Sequence, residues 1–261
     1  MLGIPDRTRY DLQFRLFGIP VRIHPLFWLV AALLHGMGPE THADDVVIWV
    51  VCVLVSILAH EFGHALTGRL FGCRSSIVLH GFLGTTTPDY GRTMSPGERF
   101  LMVLMGPGAG FLLLGAVLAV LFALYRITPS EALALLGLGS RDKVMPFILK
   151  LGPMGRGAKL LIYYLLQINF FWSVFNLMPT LPLDGGKLTG IGIGLVNPRA
   201  SKQWVYIISL VTSGILAIAC FKLLGSLFMA MLFGYFAVMN YQYLQTVQSM
   251  ERYGIDQGEE W

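Results

Sequence analysis

The chain has 261 residues, 55% of them hydrophobic and only 13% charged, with 19 Lys and Arg against 15 Asp and Glu for a net charge of +4. A water-soluble domain carries about 25% charged residues, so most of this chain is expected in a lipid bilayer. The basic residues are spread through loops rather than gathered on one stripe, which argues against nucleic acid as a partner and makes them topology signals. Cys52, Cys73 and Cys220 are far apart and form no C-x-x-C pair; Cys52 and Cys220 lie inside apolar runs and read as small core or lipid-facing residues.

Residues 1–23 form a polar, basic tail that suits an amphipathic or strand-like piece at the membrane surface. No small-residue cleavage pattern follows, so the first apolar run is expected to be retained rather than removed as a signal peptide. That run, from 25 to about 37, is shorter than the ~20 residues a perpendicular helix needs to cross. Residues 39–45 are a short acidic loop without Lys or Arg, and 46–70 make the second span. Residues 71–97 differ in kind, being rich in Gly and β-branched residues, and predict one or two short strands with a turn. Ser95, Pro96 and Glu98 mark a helix start of the capping-box type.

The third span, to about residue 125, is interrupted by Gly106-Pro107-Gly108-Ala109-Gly110. Close helix packing explains these glycines; a phosphate loop does not, since no Lys-Ser/Thr follows. Residues 126–158 hold an apolar piece, 132–138, among Arg141, Lys143, Lys150 and Arg156; a lid, an interfacial helix and a solvated loop all suit them. Residues 159–178 are the fourth span, and 203–224 and 226–244 the fifth and sixth, joined at Gly225. The expected fold is therefore an all-α polytopic membrane protein of about six transmembrane helices, with a small membrane-associated β-hairpin or sheet at about 73–90. Its parts are an N-terminal tail and first segment (1–45), a three-helix catalytic core (46–190), and two C-terminal helices with a polar tail (191–261). The Lys and Arg distribution puts the N-terminus on the cytoplasmic side of the cell membrane.

Chemistry concentrates at His60-Glu61-Phe62-Gly63-His64, near the end of an apolar run. Two imidazoles four residues apart share one helix face and can hold one zinc ion, and Glu61 beside them can act as general base toward a metal-bound water. Ionisable side chains in a membrane span are costly and point to function. A catalytic zinc takes three protein ligands. Asp184, at the end of the fourth span and followed by Gly185 and Gly186, is the best candidate for the third; the alternative is an ordinary acid at a turn. Pro179 and Pro182 break regular helix ahead of it and leave extended backbone able to pair with a peptide. Asn176 could hydrogen-bond a substrate or an oxyanion. His80 suits a satisfied or surface position, and His24, His35 and His42 are poor ligand candidates. The Gly190-Ile-Gly-Ile-Gly194 pattern reads as packing.

His60-Glu-Phe-Gly-His64 on a membrane helix, with Asn176-x-x-Pro179-x-x-Pro182-Leu-Asp184-Gly-Gly186 on a later one, resembles the site-2 protease family of intramembrane zinc metalloproteases. The resemblance covers roughly residues 46–190. It implies that His60, His64 and Asp184 bind one zinc ion, that Glu61 is the catalytic base, and that Asn176 and Pro182 lie near the substrate. It also implies that residues 73–90 form a sheet that receives an unwound transmembrane substrate as an added strand. The chain departs from the family's frequent G-P-x-x-N by carrying Gly110 in place of the Asn. It leaves no room between its motifs for a PDZ domain, and a compact member without PDZ or CBS domain is expected. Two other classes stay open. One is a prenyl-protein type protease, for which no later ligand stands out. The other is a non-enzyme: a metal-handling protein, or an inactive relative that binds membrane proteins as a chaperone.

Overall fold

The computed structural model describes residues 5–36, 42–81, 83–89, 93–139, 144–152, 154–198, 201–223 and 225–252. They fall into two compact units, one of residues 2–93 with 105–173, the other of 94–104 with 174–261.

In the first unit the basic tail is a hairpin. Strands β1 (Leu12–Leu16) and β2 (Ile19–Ile23) pair antiparallel with Leu16 opposite Ile19. Phe17 and Gly18 between them have φ of 51° and 78°, the doubly left-handed turn whose twist matches that of the strands. β2 then runs parallel to β3 (Arg74–His80), and β3 antiparallel to β4 (Leu83–Asp89), giving one sheet in the order β1-β2-β3-β4. The strand-like region beyond the second span is thus half of a larger sheet.

Alternation along β2 buries Ile19, Val21 and Ile23. With Ile77 and Leu79 they pack on Phe27 and Ala31 of α1 (Pro25–His35) and on Val53, Ile57, Phe62 and Ala65 of α2 (Ala43–Leu70). Helix α2 has 28 residues, about 42 Å at ~1.5 Å per residue. Asp44 and Asp45 occupy its first turn, where acids suit the helix dipole. Both pair with Arg156, the first residue of α6 (Arg156–Asn176): Nη1 lies 3.2 Å from Asp44 Oδ2, and Nη2 donates to the buried Asp45.

Five described helices are long and apolar enough to cross a membrane: α2, α3 (Pro96–Tyr125), α6, α8 (Ser201–Lys222) and most of α9 (Leu227–Arg252). Helix α1, of 11 residues, is apolar but shorter. The chain is a multi-pass membrane protein, mostly helical, with one small sheet.

The connector between α3 and α6 is packed rather than solvated where it is described. It holds two short helices, α4 (Pro129–Leu135) and α5 (Val144–Lys150). Leu135, Phe147 and Leu151 are buried with Leu121 of α3 and Leu166 of α6. Thr128 and Glu131 close a capping box on α4, and Lys150 Nζ of α5 lies 2.7 Å from Glu131 Oε2. In the second unit a stretch without regular structure (177–183) enters α7 (Asp184–Val196), a helix the sequence pattern did not announce; the glycines at 190, 192 and 194 lie inside it. Helices α8 and α9 meet at Gly225, with φ of 62°, and bury Cys220, Phe233, Phe236 and Met239 with Leu183.

The Lys150 ammonium, then the Thr128 backbone N–H, hold the Glu131 carboxyl at about 2 rather than its ordinary 4.5. Because the folded value is lowered, this link stabilises the connector fully above about pH 4.5 and is lost as pH falls toward 2. Amide protection in residues 128–135, taken as the intrinsic exchange rate at each pH over the observed one, is expected to fall over that window, and Glu131→Gln to show the lower protection already at pH 7. Identical pH profiles for the two proteins would refute the assignment.

Candidate metal centre

Helix α2 carries His60, Glu61 and His64, which are 3%, 4% and 8% exposed. Every residue from His60 to Ala65 is buried, so this part of the helix is enclosed on all sides. Small residues make that enclosure possible. A Cβ on Gly63 would strike the Met105 carbonyl of α3 and come within 2.9 Å of the Ala109 Cβ. A Cβ on Gly106 would strike the His64 ring itself. The glycine of the Gly-Pro-Gly interruption therefore vacates the space that an imidazole fills.

The Nε2 atoms of His60 and His64 face one another at 3.2 Å, with the rings nearly perpendicular at 84°. Two ligands each ~2.0–2.1 Å from one tetrahedral zinc would stand ~3.3–3.4 Å apart. The donor pair thus fits two adjacent vertices of such a site. Trp172 of α6 meets the His60 ring edge-on at 6.4 Å.

Glu61 faces the sheet. Thr86 of β4 donates its hydroxyl to Glu61 Oε2 at 2.6 Å and lies 3.2 Å from the Glu61 carbonyl oxygen. A Cβ on Gly84, two residues earlier in the strand, would collide with the same carboxylate. Thr86 is a partner of Glu61 that sequence reasoning missed. Three consecutive threonines, 85 to 87, carry no local signal that selects the middle one; its selection follows from the register with β3, which sets Thr86 opposite Ile77. His80, on β3, has Nε2 3.5 Å from Thr85 Oγ1. Burial pushes its imidazole below the ordinary range, with His24 and Arg22 acting the same way and Glu61 opposing them.

Asn176, Pro182 and Asp184 belong to the second unit. Asn176 ends α6 and is buried. The Leu181–Pro182 peptide bond is cis. Asp184 opens α7, buried, with Lys187 Nζ 2.9 Å from its Oδ1. Close backbone packing places it. A Cβ on Gly185 would strike the carbonyls of Leu177 and Met178, and one on Gly186 would strike Leu181 N and the Thr180 carbonyl. The second glycine pair is thus as sterically required as the first.

A polytopic membrane protein with paired imidazoles and a buried carboxylate on one enclosed helix belongs to the metallopeptidase-like class of membrane proteins. The comparisons make this specific: the sequence model of peptidase family M50 matches residues 48–220, and the chain belongs to that family. Rip3 of Mycobacterium tuberculosis is 26% identical over 187 residues, which cover 67% of this chain and 41% of that protein. The zinc metalloprotease MJ0392 of Methanocaldococcus jannaschii is 24% identical over 177 residues, covering 67% and 43%. The chain thus spans less than half the length of these relatives. The structure of a site-2 protease from Methanocaldococcus jannaschii shares the fold, with a TM-score of 0.58 at 17% identity over 90% of this chain and 95% of that one.

The contact of Gly106 with the ring makes a direct prediction. In Gly106→Ala the group that must yield is the His64 imidazole, so zinc bound per purified chain should fall well below that of the unaltered protein. Equal zinc content by atomic spectroscopy would show that the ring position is not required.

Proposed function

We propose that the chain is an intramembrane zinc metalloendopeptidase that cleaves peptide bonds in or near transmembrane segments of other membrane proteins. His60, His64 and Asp184 hold one zinc ion; all three are buried and of zinc-binding type. The observation that carries the reading is the 3.2 Å separation of the two imidazole Nε2 atoms inside an enclosed apolar helix. Bound there, zinc would supply Lewis acidity toward a carbonyl oxygen and toward water.

Glu61 is the proton carrier. It accepts a proton as water adds to the scissile carbonyl carbon, and returns it to the amine nitrogen as the C–N bond breaks. Thr86 restrains its carboxylate through the 2.6 Å hydrogen bond, so the base is oriented before substrate arrives. A substrate helix hides its carbonyls in internal hydrogen bonds and must unwind to be cut. Strand β4 stands last in the sheet order and lies against Glu61, which supports pairing of an unwound segment with it by strand addition. Asn176 and Pro182 are proposed to contact that segment. The orientation that fits the Lys and Arg distribution puts the N-terminus and the active site toward the cytoplasm.

Glu61→Gln is expected to keep its zinc while cleavage of a single-span test substrate in detergent falls by ~10²–10⁴-fold. Cleavage at the original rate would reject Glu61 as the base, whereas no cleavage by the zinc-loaded unaltered chain would favour a protein that binds membrane partners without cutting them. Thr86→Val keeps shape but removes the donor, and should lower kcat ~10-fold at unchanged KM and zinc content, with Thr86→Ser restoring it. A change confined to KM would place Thr86 with the substrate instead.

A further inference from the structure

The stretch before Asp184 poses a hydrogen-bonding problem. Pro179 and Pro182 supply no N–H, and their neighbours cannot continue α6 as a regular helix. The freed backbone groups lie in an apolar setting where each needs a partner. Within the stretch, Thr180 N donates to the Met178 carbonyl and Leu183 N to the Thr180 carbonyl. Leu181 is met from outside it. Its N–H donates to Ser209 Oγ of α8 at 3.0 Å, and its carbonyl accepts from Asn240 Nδ2 of α9 at 2.8 Å. Beside it, the Thr180 hydroxyl reaches the Ser209 carbonyl oxygen at 2.8 Å and touches the Ser213 hydroxyl. Thr180, Ser209, Ser213 and Asn240 are all fully buried.

Buried serines and an asparagine on two otherwise apolar membrane helices carry a desolvation cost, and here their polar groups converge on two adjacent residues of the loop, Thr180 and Leu181. The constraint reaches Asp184 through backbone. Gly186 packs on Leu181 N and the Thr180 carbonyl with no room for a Cβ, and Gly186 N donates to the Leu183 carbonyl. We infer that Ser209 and Asn240 are positioning residues for Asp184, and that α8 and α9 hold this loop in register through both backbone polar groups of Leu181. The C-terminal helix pair then belongs to the machinery of the site rather than serving only as membrane anchor. A displacement of α9 along α8 would pull on the Leu181 carbonyl while α8 holds the N–H.

The functional consequence rests on Asp184 being a zinc ligand; the structural one does not. Amide exchange of the metal-free protein in lipid nanodiscs tests the structural part, and the rate of zinc loss to a chelator from the zinc-loaded protein tests the functional part. Asn240→Leu, and separately Ser209→Ala, should speed exchange across residues 181–187 about tenfold with the central amides of α8 and α9 unchanged, and should speed zinc loss by a similar factor. Unchanged exchange at 181–187 in both variants, or acceleration spread through α8 and α9, overturns the inference. If Asn240→Leu does not fold, Ser209→Ala decides alone. Asp184→Asn separates the two readings: it should lose zinc with normal exchange at Leu181. Full zinc retention in that variant would remove Asp184 as ligand while leaving the exchange result to stand.

Discussion

Burial of ionisable and polar groups in a low-dielectric helix is the constraint on which this protein depends. Three titratable side chains lie within five residues of α2, all enclosed. Such groups are tolerated at membrane depth only when partners surround them. The His60 and His64 nitrogens face each other, and the Glu61 carboxylate accepts a hydrogen bond from the Thr86 hydroxyl. The surrounding elements are shaped to deliver those partners.

Delivery is achieved largely by removing atoms. Gly63 lets α3 approach α2 to backbone distance, Gly106 clears the volume of an imidazole, and Gly84 lets β4 lie on a carboxylate. Gly110, where the related family often has Asn, follows the same logic: a Cβ there would strike the Ser173 hydroxyl of α6. In this chain the space is already taken by a buried serine from the neighbouring helix, so the departure at 110 is matched by a polar group one helix away. Nearby, Asn169 Nδ2 donates to Ser56 Oγ at 2.9 Å, adding a second polar link between α2 and α6.

The second unit solves a related problem at its proline-bounded loop. Proline gives extended backbone but abandons the helical hydrogen bonds that a membrane requires. Ser209 and Asn240 supply replacements from α8 and α9, and Gly185 and Gly186 let the first turn of α7 fold back on the loop. An acid in that first turn also sits where the helix dipole favours negative charge, consistent with a buried Asp184 beside Lys187.

By itself the sequence determined the membrane class, the main spans and the His60, Glu61 and His64 constellation, because apolar runs and i, i+4 spacing are local properties of a helix. It also marked Asp184, through an acid set among prolines and glycines. Only the tertiary structure decided the rest. The parallel pairing of β2 with β3 joins segments separated by two helices, and no local periodicity encodes such a partner. The choice of Thr86 among three threonines depends on strand register. Ser209 and Asn240 look like isolated polar residues on apolar helices until the loop they satisfy is in place. In each case the missing information is long-range: a polar group's role in lipid is set by the partner that removes its desolvation cost, and that partner is brought near by folding rather than by sequence spacing.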